Sequence, residues 1–84
     1  MPYIKKAHRP EFDYHIIRLV DMIDSWRDFD YVVSKMLNIL YANWGLSYNF
    51  INNAMGALSC IQAEFYRTIG APYEDKKRSE HGEV

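Results

Sequence analysis

Six side chains in this sequence could act together on a ligand: Tyr66, Arg67, Tyr73, Lys76 and Lys77 towards the C-terminus, and Arg9 near the start, where Lys5 and Lys6 precede it. Arginine forks and lysine ammonium groups bind phosphate, and tyrosine rings stack on bases or cover apolar ligand surface. The mixture suits a small anionic ligand such as a nucleotide. The plainer alternative is a solvated surface, on which Glu74 and Asp75 pair with Lys77, Arg78 and their neighbours, each pair contributing at most about 1 kcal/mol.

Catalytic patterns are missing. There is no Gly-rich phosphate loop, no His-Glu-x-x-His zinc pattern, no cysteine pair and no serine flanked by glycines. Paired helical Glu-x-x-Glu motifs, which helical nucleotide pyrophosphatases would need for magnesium, are also missing. His8, His15 and His81 share no ligand-like spacing. Asp21, Asp24 and Asp28 fall at three-and-four spacing, but no second cluster of ligands accompanies them, and they read as a solvated acidic face. The expectation is therefore no catalytic residue, no metal and no cofactor, with a weak hydrolase using Glu74 or Asp75 as the least supported rival.

Ten basic against eleven acidic residues give a net charge of −1, which argues against non-specific binding to nucleic acid. Cys60 is the single cysteine and sits among apolar residues, so no disulfide is expected and the chain fits a reducing compartment, the cytoplasm. No charged residue occurs between Lys35 and Glu64, yet Asn38, Asn43, Asn49, Asn52, Asn53 and Gln62 are spread through that span and Gly45 interrupts it. A membrane-spanning helix is not expected, and neither is a secretory signal.

The elements that must position the six side chains are helical. Residues 1–9 read as an N-terminal arm whose apolar Tyr3 and Ile4 dock on the body. Helix one spans 10–24: Pro10 suits an early helix position, Glu11 and Asp13 suit the positive end of the dipole, and Phe12, Ile16, Leu19, Val20 and Ile23 recur at helical spacing. Helix two spans 28–42, after Ser25 or Asp28 as cap, with Phe29, Val32, Val33, Met36, Leu37 and Leu40 on one side. Trp44 in the turn before helix three should fold back onto the helices. Helix three spans 47–69 with Ser47 as N-cap, and Gly70-Ala71-Pro72 should stop or kink it, leaving 70–84 as a charged tail.

Helix three carries more apolar surface than one small core absorbs. Ile51, Ala54, Leu58, Ile61 and Phe65 form the core stripe, and further apolar side chains lie off it. Gly56 costs roughly 1 kcal/mol relative to Ala inside a helix, and close approach of another backbone would offset that. With Cys60 and Ala63 it forms a small-residue ridge that would admit a neighbouring helix to about 8 Å. Eighty-four residues make one domain, spanning 1–84, near the size where a single core leaves little net stability. The expected fold is an all-α, three-helix antiparallel bundle, assembled as a homo-oligomer through Ile51, Met55, Gly56, Cys60 and Ala63.

Three segments carry a resemblance: MPYI at 1–4 with Arg9 after it, DYVVSKML at 30–37, and EFYRTIGAPYEDKKRSEHGEV at 64–84. In these the chain resembles a family of small uncharacterised proteins of tailed phages and scattered bacteria. The family's closing pattern is Glu-Phe-Tyr-Arg-Arg, then Ala-Pro-Tyr-Glu-Asp-Lys-Lys, then Asn-Gly-Asp-Val. The chain departs from it at Thr68, where the family has a second arginine, and at His81 and Glu83. The resemblance implies a phage or prophage origin and no activity.

Together these readings describe a non-enzymatic phage accessory protein that acts by binding in the host cytoplasm and sequesters a nucleotide-type defence signal. The alternative is a protein-interaction module that inhibits or adapts a host or phage protein through an exposed apolar and aromatic face.

Overall fold

The computed structural model describes residues 3–82, so Met1 and Pro2 of the opening motif and Glu83 and Val84 of the closing one lie outside it. The chain is all-helical, with no strand among the described residues. It divides into two compact units, one running up to Phe50 and the other from Ile51 onward.

In the first unit a 3₁₀ turn at Lys6–His8 leads into α1, Arg9–Val20, with Pro10 in its first turn, where a missing N–H costs nothing. The helix stops four residues short of the expected 24. Met22 N–H donates to the Leu19 carbonyl and Ile23 N–H to the Val20 carbonyl, both at 3.0 Å, tightening the chain into three-residue turns that cannot propagate an α-helix. That frees the Asp24 N–H, which donates to the Asp28 carboxylate at 3.0 Å. In return the Asp28 N–H donates to Ser25 Oγ at 3.2 Å. The two bonds form a reciprocal cap that starts α2 at Trp26, two residues earlier than expected, and the helix runs to Trp44, two residues past the expected end. Asp28 is thus a structural cap, not part of a merely solvated face.

Gly45 closes α2 at φ 88°, a conformation costly for any residue with a Cβ, and its N–H donates to the Tyr41 carbonyl at 2.8 Å. Ser47 Oγ then accepts from the Phe50 N–H at 3.0 Å, the expected cap of the third helix. Trp44 folds back far enough to meet the Phe50 ring edge-on at 6.4 Å, and it remains 73% exposed.

The third helix does not stop at Gly70-Ala71-Pro72. α3, Tyr48–Phe65, passes through a wide π-turn at Tyr66–Gly70 into α4, Ala71–His81. Pro72 has no N–H to give the carbonyl four residues back, and its ring crowds that carbonyl. The π-turn resolves the conflict, because Ala71 N–H donates five residues back to Tyr66 O and the widened turn makes room for the ring. Thr68 Oγ1 adds a 2.8 Å bond to the Glu64 carbonyl just before it. The expected charged tail is therefore helical as far as His81 and ends at Gly82, φ 83°.

No described residue is buried. Val32, Val33, Leu37 and Leu40 of α2 are half-buried, as are Leu19, Ile23 and Phe50. The stripe expected to form the core of α3 is open instead: Ile51 is 44% exposed, Leu58 36%, Ile61 53% and Phe65 65%. No described helix is long and apolar enough to cross a membrane.

Candidate functional site

Five of the six candidate ligand-binding residues lie on one helical run of the second unit, Tyr66 and Arg67 in the π-turn and Tyr73, Lys76 and Lys77 on α4. Arg9 belongs to the first unit, where its Nε donates to the Ile4 carbonyl at 3.1 Å. That bond holds the N-terminal arm over a shallow concavity of about 520 Å³ lined by Tyr3, Ile4, Arg9, Phe12, Asp13 and Ile16. Tyr3 and Ile4 remain exposed, so they rim this groove without being covered by it.

Within the second unit Tyr66, Arg67 and Lys77 each have an acidic neighbour, and Tyr73 lies beside Lys77. The Tyr66 ring lies along Gly70, where an added Cβ would come within 2.9 Å of Cδ1, and its hydroxyl donates to Glu74 Oε1. The hydrogen bond to Glu74 and that residue's negative charge, with a little desolvation and the charge of Asp75, raise the Tyr66 hydroxyl above the ordinary tyrosine range. Arg67 Nη2 sits 2.7 Å from Glu64 Oε1. Lys77 Nζ lies 5.5 Å from the centre of the Tyr73 ring and 3.4 Å from Glu80 Oε2. Arg78 and Asp75 approach at 3.9 Å, while Lys76 stays exposed on the same helix.

The structure therefore brings together Tyr66 with Glu74 and Tyr73 with Lys77. It does not gather the five into one cradle, and their positive charge is largely balanced by Glu64, Glu74, Asp75 and Glu80. Exposed pairs of this kind are each worth at most about 1 kcal/mol, so a phosphate could displace them, but nothing here pre-organises a phosphate site. The residues not anticipated are Gly70 and Glu64. Tyr66, Gly70 and Glu74 stand four apart in sequence, a spacing that could have disclosed the ring-over-glycine packing.

The five candidate interface residues Ile51, Met55, Gly56, Cys60 and Ala63 are all exposed on α3. Among the described residues nothing lies within 4 Å of the position a Gly56 Cβ would occupy, so none of their backbone offsets the cost of that glycine. Among the described residues, no group of three His, Cys, Asp or Glu is placed to hold a metal ion.

The chain matches no protein of curated function and no solved structure. One family model, described as a domain of unknown function, DUF6899, matches residues 1–84 from end to end. The protein belongs to the DUF6899 family, an uncharacterised family whose pattern the whole chain carries.

Proposed function

We propose that this protein is a non-enzymatic binding protein that acts by covering a protein surface with its exposed apolar helix faces. One observation carries the reading: large apolar side chains are exposed along every major helix, including Phe12, Ile16 and Ile17 on α1, Trp26 and Tyr31 on α2, and Ile51, Leu58 and Phe65 on α3. Soluble monomers rarely leave contiguous apolar surface of that extent open, and where they do it marks an interaction site. The groove at Tyr3, Arg9 and Ile16 is large enough for a small molecule at about 520 Å³, but it is wide open to solvent, and a ligand pocket covers most of its ligand's surface, so an open face of this kind suits a protein partner better.

Under this reading the chain assembles with copies of itself, completes its antiparallel bundle in that assembly, and uses the aromatic surface left over to inhibit or adapt a host or phage protein. The three motif segments shared with small phage proteins support a phage or prophage origin and action in the host cytoplasm. A second reading, sequestration of a nucleotide-type signal, draws on Tyr73 and Lys77, which present an aromatic face and an ammonium group side by side.

The experiment that separates the two is a titration with mono-, di- and cyclic nucleotides, run beside capture of partners from host cells. Protein recognition predicts a flat nucleotide response and one partner held at a stoichiometric ratio, lost in Trp26→Ala and kept in Arg67→Ala. Saturable nucleotide binding that disappears in Arg67→Ala or Tyr73→Ala would replace it with sequestration.

A further inference from the structure

The apolar stripe of α3, Ile51, Ala54, Leu58, Ile61 and Phe65, occupies an arc of about 80° at the 100° per residue of an α-helix. A regular helix continued past Phe65 would bring Pro72 and Lys76 onto that arc, each about 20° from Phe65 on opposite sides. Tyr73 and Lys77 would stand about 80° and 120° away. The π-turn reverses this assignment. It holds one residue more than an α-turn, so every position beyond it falls back by about 100°. Tyr73 and Lys77 then take the two places beside Phe65, and Pro72 and Lys76 leave them. Resting on the reading of the chain as a binding protein, we infer that Pro72 is a positioning residue: through the π-turn it sets the Tyr73–Lys77 pair in line with the apolar stripe of α3, so that stripe and pair form one binding surface.

Two contacts fix the count. Tyr66 and Glu74 are eight residues apart, and their bond requires that the turn has taken up one of the eight. Lys77 Nζ lies 5.5 Å from the centre of the Tyr73 ring, so these two share a face of α4 and turn together. Both contacts belong to the second unit, in which α3, the π-turn and α4 follow one another without a break. A proline that ended the helix would leave the pair with no fixed bearing on the stripe. Carried through the widened turn, the joined surface runs about 32 Å from Ile51 to Tyr73. Along that arc the first charge is Lys77, so an apolar strip closes on an ammonium group laid against an aromatic ring.

The test uses the full chain and has two arms. With a nitroxide on Phe65→Cys in a Cys60→Ser background, the side-chain NMR signals of Lys77 should broaden more than those of Lys76, because Lys77 shares the labelled face. In Pro72→Ala the order should reverse. The same order in both chains, or stronger broadening of Lys76 with Pro72 in place, overturns the inference. The second arm takes the protein partner found by capture. Tyr73→Ala and Pro72→Ala should each weaken its binding roughly tenfold. The double variant Pro72→Tyr with Tyr73→Ala should restore it, since a regular α-turn then sets a tyrosine and Lys76 in the two places beside Phe65. Failure of that restoration overturns the joined surface. A partner held equally well by Tyr73→Ala would also end it and leave the protein-binding reading intact, whereas the expected broadening in a chain that captures no protein would do the reverse.

Discussion

The Tyr66 hydroxyl donates to the Glu74 carboxylate eight residues ahead, across a wide turn in which its ring rests on Gly70. Eight steps along an unbroken α-helix would leave the two side chains about 80° apart around the axis. The π-turn adds one residue to a turn and takes back about 100°, which returns Glu74 to the face of Tyr66. Pro72 and the Tyr66–Glu74 bond are therefore linked through helical register.

The raised Tyr66 ionisation gives a signed pH effect. A group whose folded pKa lies above its unfolded value contributes stability in full below the unfolded value, 10.0 for tyrosine, and that contribution fades as pH rises through the folded pKa. In a titration of phenolate absorbance one tyrosine should ionise later than the rest. It should vanish from the curve in Tyr66→Phe and return to the ordinary range in Glu74→Gln. An unchanged curve in Glu74→Gln would contradict the bond.

Gly70→Ala opposes two effects. Alanine gains about 1 kcal/mol of helix propensity over glycine, but its Cβ would meet the Tyr66 ring at 2.9 Å and force it aside. Helicity by circular dichroism should hold or rise slightly while the late-ionising tyrosine moves to the ordinary range. Retention of the late ionisation would show that the ring does not rest on Gly70.

Pro72→Ala restores an N–H that can donate four residues back, so the π-turn should close to a regular α-turn and α4 should rotate by about 100° relative to α3. Tyr66 then loses Glu74. The expected reading is earlier tyrosine ionisation together with stronger amide-exchange protection from residue 66 to residue 72.

The caps should be measurable separately. Ser25→Ala and Ser47→Ala each remove a side-chain acceptor at a helix start, and each should cost about 1 kcal/mol in thermal unfolding. Asp28→Ala should cost a similar amount, because it removes the acceptor of the Asp24 N–H from the same cap.

Gly56→Ala should stabilise α3. Among the described residues nothing lies within 4 Å of the added methyl, so the helix should gain up to about 1 kcal/mol. If the chain assembles along the ridge of Gly56, Cys60 and Ala63, Gly56→Leu should lower the solution mass; an unchanged mass would remove that ridge from the contact.

The helices themselves were legible in the residues. Pro10, Ser25 and Ser47 act at helix starts and Gly45 at a helix end, and each does so through a local bond or backbone preference that spacing alone discloses. Gly70-Ala71-Pro72 was legible as an interruption of the helix but not as a widened turn that carries it through, which only the bond from Ala71 to Tyr66 shows. Nor could spacing tell that Ile51, Leu58, Ile61 and Phe65 stand open, since periodicity states which side chains share a face and never what faces them. Tyr66, Arg67 and Lys77 could be named as anion-binding groups from their types, and Glu64 and Glu80, three residues from Arg67 and Lys77, follow from helical spacing, whereas Glu74 reaches Tyr66 only through the wide turn. Local hydrogen bonding belongs to the sequence because its partners lie within a few residues of one another. Exposure and register past Pro72 depend on where the chain travels, and only the tertiary structure decides that.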